Sequence, residues 1–312
     1  MMLVEATPEL SLERDRATHE TWGGGLPVEA YQALEARLRG HPWPRASLAL
    51  WLLRGADGEV LSSCETYRMT SRLRGVPGHS YGVATVYTEP DRRRRGHVRE
   101  LLERLAAHLA RAYPDAQSMV LFSDVPLAVY RGAGFFPRPA LDLVWDPLPG
   151  DPRDGVDGLL EDDGAGPALD GLPFAQGPFA IRPSAAQIDW HLERERIFAL
   201  LQGRSRPPGC GARLGPGLAL WAAEYRTGQL MVLLLHAPGP GQAEALIASA
   251  RRAAQAAGLA RVTLWKTPGD PPWPGSRLED RLARLDSVPM IRPLDPRLRA
   301  GDWDWIPRIL WV

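Results

Sequence analysis

The chain has 312 residues, enough for about two domains, and its 45% hydrophobic and 24% charged residues are ordinary for a folded globular protein. Its 37 Lys and Arg balance 37 Asp and Glu, which excludes bulk electrostatic attraction to nucleic acid or to an anionic membrane. With only Cys64 and Cys210, neither a disulfide framework nor a cysteine-based metal site is expected. No metal is expected at all. The N-terminus lacks a basic region followed by an apolar core, and no apolar run is long enough to cross a bilayer, so a cytoplasmic protein is expected.

In chain order, Met2 to Thr7 reads as an opening strand, and Pro8 separates it from a polar helix over roughly Glu9 to Glu20. Trp22-Gly23-Gly24-Gly25 breaks that helix. Pro27 suits a first helical position, and Tyr31, Leu34 and Leu38 then form an apolar stripe that runs to Arg39. His41-Pro42-Trp43-Pro44 ends it. Ser47 to Arg54 and Glu59 to Met69 read as strands joined by the hairpin signal Gly55-Ala56-Asp57-Gly58. Gly82 to Tyr87, rich in β-branched and aromatic residues, is a further strand, and Pro90 stops its ladder.

Past Arg92-Arg93-Arg94-Arg95-Gly96, Leu101, Leu102, Leu105 and Leu109 recur at helical spacing. A strand has become a helix across a tight basic loop. The first free N–H groups of such a helix point outward together and the helix dipole adds partial positive charge, a geometry that binds phosphate. Gly96 has no Cβ to keep an oxyanion away from the backbone. Ser118 to Phe122 then reads as a buried strand. Ser123-Asp124-Val125-Pro126 opens a short helix ending in Tyr130-Arg131-Gly132-Ala133-Gly134-Phe135.

The spacing Pro90-x-x-Arg93-x-x-Gly96-x-Val98 resembles the acyl-CoA pyrophosphate loop of the GNAT acetyltransferase superfamily, whose pattern is R/Q-x-x-G-x-G/A. Val98 departs from it, standing where the family has a small residue, and a larger side chain there would crowd the pyrophosphate. The order strand, phosphate loop, helix, strand, Y-x-x-x-G-F also resembles these enzymes. Val60 to Arg68, with its S-C-E-T-Y segment, taken with Leu121-Phe122-Ser123-Asp124 and the Trp22-Gly23 turn, is similar more narrowly to the fungal lysine N6-acetyltransferase group over roughly Glu13 to Phe136. The resemblance implies an α/β (α+β) GNAT fold with a central mixed, mostly antiparallel sheet. It implies acetyl-CoA as co-substrate, held by Arg93, Arg94, Arg95, Gly96, His97 and Val98 and by the strand end Val86, Tyr87 and Thr88. Tyr130 inherits the role of protonating the departing thiolate.

Pro147 to Pro178 is dense in glycine, proline and acidic residues and has no period, so residues 147–179 are expected to be a linker between a first domain, 1–146, and a second, 180–312. The second unit reads as a helix from Ser184 to Gln202, strands Leu218 to Tyr225 and Gln229 to His236, a helix from Gln242 to Gly258 and a strand from Ala260 to Lys266. That order repeats half of the first domain. Its loop Ala237-Pro238-Gly239-Pro240-Gly241 has no arginine and no pyrophosphate spacing, so a degenerate GNAT-like domain without its own cofactor is expected. The tryptophan-rich tail, Gly301 to Val312, is too apolar to stay in water and should close the second domain as a strand or a cover. The second domain is expected to wall the acceptor side of the first domain's pocket. Residues 1–146 alone are expected to bind CoA yet lose acceptor turnover.

Chemistry adds a requirement. An alkylammonium, with a pKa of about 10.4, must lose a proton before it attacks a thioester. Direct attack gives an oxyanion that N–H groups at Val86 to Thr88 would stabilise. For the base, Glu65 ranks first, on the strand before the cofactor strand, and an ion-pairing or ammonium-anchoring role is its alternative. Asp124 ranks second, although a helix cap is its more ordinary role. His19 and His97 have suitable intrinsic pKa values, Cys64 is a small buried residue rather than a nucleophile, and the Val312 carboxylate is a minor alternative. The expected acceptor is a small amine, free lysine among others, with protein lysines and aminoglycosides as alternatives. An acyl-CoA sensor without turnover is a second class. A nucleic-acid contact through Arg92 to Arg95 is a third, which balanced charge and the lack of nearby stacking aromatics disfavour. Neither a nucleic-acid nor a membrane partner is expected, and monomer and homodimer both remain open.

Overall fold

The computed structural model describes residues 1–172, 177–205, 207–271, 273, 281–284 and 286–312. Strand β1 (Met2–Glu5) pairs antiparallel with β2 (Leu48–Arg54), across the helices α1 (Pro8–Trp22), α2 (Val28–Arg39) and α3 (Pro42–Ser47). Helix α3 replaces the expected break: Pro42 and Pro44 fit a first turn, where their missing N–H groups are no loss. Strands β2, β3 (Val60–Leu73) and β4 (Val76–Tyr87) form an antiparallel meander. Arg74 and Gly75, at φ 49° and 83°, make the tight turn between the last two. The sequence hides the first six residues of β4 behind Pro77 and Gly78. Pairing of β4 with β5 (Ala116–Ser123) starts only at His79, so at Pro77 the strand has one neighbour and proline is tolerated.

Helix α4 (His97–Ala112) crosses between β4 and β5, which therefore run parallel, and its buried stripe is Leu101, Leu102, Leu105, Ala106 and Leu109. Helix α5 (Ala128–Arg131) and strands β6 (Phe136–Pro137) and β7 (Leu141–Trp145) follow.

The expected linker is structured. It contains β8 (Gly158–Leu160) and α6 (Asp162–Asp170), and its residues 173–176 lie outside the described residues. Its composition misleads because α6 buries small groups, Ala165, Gly166 and Ala168 beside Leu169, which leave little hydrophobic period. The chain continues as β9 (Phe179–Ile181), α7 (Ala185–Leu201), β10 (Gly211–Leu214), β11 (Gly217–Glu224), β12 (Gln229–His236), α8 (Pro240–Ala256), β13 (Arg261–Lys266), β14 (Arg281–Ala283) and β15 (Val288–Pro293).

Two mixed sheets result. The first runs β1-β2-β3-β4-β5-β15-β6, with β9 paired to the far end of β3; the second runs β14-β7-β13-β12-β11-β10-β8. Each contains one parallel pair bridged by a helix, β4/β5 with α4 and β12/β13 with α8. The halves exchange strands. β7, from the first half of the chain, lies antiparallel to β13, and β15, from the second half, lies between β5 and β6. The sheets therefore do not divide between 1–146 and 180–312.

The C-terminal tail forms two 3-10 turns, Ala300–Asp302 and Arg308–Leu310, rather than a closing strand. It is nonetheless core: Trp303, Ile306, Ile309 and Leu310 are fully buried. Gln187 and His191 of α7 both bond the Ile309 carbonyl, at 2.7 and 2.9 Å.

Candidate active site

The site begins where β4 and β5 part. Their ladder ends at Gly82 and Val120, while β4 continues to Tyr87 and β5 to Ser123. Beyond that point β4 carries a bulge: Glu65 faces Ala84 but Ser63 faces Tyr87, and Thr85 takes the left-handed φ of 47°. A β-branched residue rarely accepts that conformation, so the sequence gives no warning of the bulge. The bulge bends the end of β4 away from β5 and leaves the backbone of Val86, Tyr87 and Thr88 without a partner strand on the β5 side.

The basic loop abuts this strand end. Arg93 Nε donates to the Thr88 carbonyl at 3.1 Å, and the Arg93 guanidinium lies 5.8 Å from the Tyr87 ring centroid. Arg14 of α1 reaches the same ring at 4.8 Å and pairs with Glu89 at 2.9 Å. Arg94 and Gly96 both adopt left-handed φ, 63° and 81°, and among the described residues no side chain caps the N-terminus of α4. Arg93, Arg94, Arg95 and Gly96 are exposed, and no atom of the described residues stands within 4 Å of where a Cβ on Gly96 would be. His97 is half-buried. Val98 packs against the cluster of apolar residues beneath α4, so its side chain is turned into the core rather than across the loop.

Tyr130 belongs to that same cluster, with Cys64, Val83, Leu101 and Leu102, and its ring meets Phe135 edge-on at 6.2 Å. Burial, then Cys64 and Asp124, raises its pKa above the ordinary tyrosine value, so it stays protonated. Burial raises the Cys64 thiol in the same way, consistent with a small core residue.

Glu65 lies on the opposite face of β3, beneath α1 and α2. Its Oε1 accepts from Arg39 Nη2 and Nε at 3.1 and 3.2 Å, and its Oε2 accepts from the Tyr67 hydroxyl at 3.1 Å. Arg39 also holds Asp15 through two bonds of 2.7 and 2.8 Å and lies 3.6 Å from Glu35. Three carboxylates thus share one guanidinium. Burial, then repulsion from Glu65, pushes Glu35 up to about 7. Sequence reasoning missed Asp15, Glu35 and Arg39. The signal available was α1, whose buried residues are polar: Arg14, Asp15 and Thr18. Trp43 of α3 stacks on Tyr67 at 5.0 Å and closes this network.

The remaining candidates are engaged elsewhere. Asp124 accepts from the Ser287 N–H and hydroxyl at 2.7 and 3.0 Å, a cap on the turn into β15 rather than on α5. His19 bonds the Leu26 carbonyl at 2.6 Å. The tail does reach the fork: a Cβ on Gly82 would fall 3.0 Å from both Val312 Cγ2 and Met69 Cε, a tight contact that glycine avoids.

Residues 175–300 match the family model described as LYC1 GNAT-like C-terminal domain. Among solved structures, an Enterococcus faecalis protein described as a probable N-acyltransferase aligns over 94% of this chain and 72% of its own, at 12% identity and TM-score 0.61. A GCN5-related N-acetyltransferase from Kribbella flavida aligns over the same shares at 16% identity and TM-score 0.56. Another, from Anabaena variabilis, covers 94% and 73% at 12% identity and TM-score 0.54. The chain has the GNAT fold. No curated protein matches it in sequence. The GNAT likeness spans both sheets, since each of these alignments covers nearly the whole chain. Among the described residues, no helix is long and apolar enough to cross a membrane.

Proposed function

We propose that the protein is an N-acetyltransferase that moves an acetyl group from acetyl-CoA to a primary amine by direct attack. The observation that carries this reading is the fork of β4 and β5 with the uncapped entry to α4 at its mouth, where Arg94 and Gly96 take left-handed φ. Free N–H groups at that helix start suit a pyrophosphate, and the surrounding arginines add charge-assisted bonds. The backbone of Val86 to Thr88, which has no partner strand on the β5 side, suits the thioester carbonyl and the oxyanion that follows. Tyr130, kept protonated, supplies the leaving thiolate with a proton. On the other face of the sheet, Asp15, Glu35 and Glu65 carry more negative charge than Arg39 cancels, which suits an ammonium-bearing acceptor. Glu35, at about 7, is the member of that group that exchanges a proton near neutral pH. The acceptor is a small amine such as free lysine.

The test is thiol release from acetyl-CoA across free lysine, polyamines, aminoglycosides and lysine peptides, with free lysine or a related small amine expected to turn over. Gly96→Leu should abolish measurable acetyl-CoA binding by calorimetry while costing only about 1–2 kcal/mol of strain at this φ. Binding that survives Gly96→Leu would overturn the loop assignment. Acetyl-CoA binding without turnover on any amine would make the protein an acyl-CoA sensor.

A further inference from the structure

The second sheet forks as well. β12 and β13 run parallel from Gln229 and Arg261 to Val232 and Leu264 and then part, and a cleft of about 330 Å3 opens at the carboxyl end of β12. Concave sites of this size, mostly apolar with a few polar groups, are where small molecules bind. The chemistry differs from that of the first fork. The residue before α8, Gly239, has an extended φ of −143°, and the loop has no arginine, so nothing there suits a pyrophosphate.

The cleft walls are Leu169, Leu172, Leu234, Trp273 and Trp305, and its polar groups are Asp270, His236 and Arg182. Asp270 Oδ2 accepts from the Thr267 N–H and hydroxyl at 2.7 and 3.1 Å; among the described residues Oδ1 accepts no hydrogen bond. Lys266 donates to the Asp270 backbone carbonyl at 3.2 Å rather than to its carboxylate. Burial raises the Asp270 carboxyl to about 6, with Asp304 adding to the rise and the Thr267 bonds and Lys266 opposing it. His236 is half-buried and burial lowers its pKa, so it stays neutral near pH 7, and Arg182 is already partnered. The charged group with unused capacity is therefore an acid, the Trp273 indole N–H is a buried donor without a partner among the described residues, and aromatic faces beside the acid favour a cation.

We propose that this cleft binds a primary amine with an apolar body, the ammonium on Asp270 and the hydrocarbon or aryl group among Leu169, Leu234, Trp273 and Trp305. The site is separate from the first fork and does not rest on acetyl transfer there. Below about pH 6 Asp270 takes a proton and the ammonium loses its counter-charge.

The experiment is calorimetric titration of the full chain with n-hexylamine, n-hexanol and n-hexanoate at pH 7.5 and 5.0. At pH 7.5 hexylamine should bind at least about tenfold more tightly than the other two, and its affinity should fall about tenfold at pH 5.0, one unit below the carboxyl. Asp270→Asn should remove the preference for the amine and leave thiol release from acetyl-CoA unchanged. Glu65→Gln separates any hexylamine held at the carboxylates of the first sheet, and it should leave unchanged the component of the isotherm that Asp270→Asn removes. Should Asp270→Asn fail to fold by circular dichroism, Ala237→Trp, which fills the cleft, must remove hexylamine binding instead. Equal affinity for hexanol and hexylamine, an affinity that ignores pH, or a hexylamine isotherm that neither cleft substitution changes would overturn the proposal. A wild-type chain without thiol release would overturn the acetyltransferase reading alone.

Discussion

Tyr130 and Glu35 sit on opposite faces of the first sheet and differ in what burial does to them. Burial keeps the Tyr130 phenol protonated, so the proposed donor still holds its proton when the thiolate departs. Tyr130→Phe should lower kcat by about 100- to 10,000-fold with little change in the acetyl-CoA KM, because such a donor acts mainly in the transition state. An unchanged kcat in steady-state assays would leave Tyr130 as packing against Phe135. Burial instead makes Glu35 reluctant to ionise, so its folded-state carboxyl, at about 7, lies above the unfolded value of 4.5. The folded chain therefore holds a proton that the unfolded chain releases between those pH values, and stability from this group falls as pH rises from about 4.5 to about 7. Glu35→Gln should raise Tm at pH 8 relative to wild type and not at pH 4.5. Thermal melts at the two pH values decide it, and an equal effect at both would disprove the assignment.

Among the elements, the tail most clearly joins sequence to packing. Arg308 is buried against Glu224 at 3.1 Å, and its guanidinium lies 4.1 Å from the Trp311 ring. Burial draws the Arg308 pKa down to about 10, which leaves it charged at neutral pH. Breaking such a pair leaves an uncompensated buried carboxylate, at a cost of about 3–5 kcal/mol. Arg308→Ala should lower the unfolding free energy from urea titration by that amount, and the double variant with Glu224→Gln should recover part of it. Full additivity of the two substitutions would mean that the pair is not coupled. Helix α4 is the contrary case, its buried stripe of leucines legible at helical spacing because one face packs on one sheet.

At the scale of the whole molecule, the strand exchange decides how the chain can be cut. A fragment ending at residue 146 keeps β7 without β13 and leaves β5 without β15, exposing the central edge of the first sheet. Such a fragment should be aggregated or unfolded by circular dichroism and size exclusion, and a soluble fragment that binds CoA would show that β15 is dispensable. Local pattern alone determined that a strand meets an amphipathic helix across Arg93 to Gly96, that a Y-x-x-x-G-F segment follows, and that strand, strand, helix, strand recurs after residue 210. Those features lie within stretches short enough for period, turn chemistry and spacing to express them. Tertiary structure alone decided that Pro77 could sit inside β4, that Thr85 bulges, and that α6 folds from a glycine-rich stretch, because each depends on a neighbour far away in sequence. It also decided that Asp15, Glu35 and Glu65 share Arg39, and that β7 and β15 change places. Ion pairs and ladder partners are set by which surfaces meet, and residues far apart in the chain carry no periodic signal of one another.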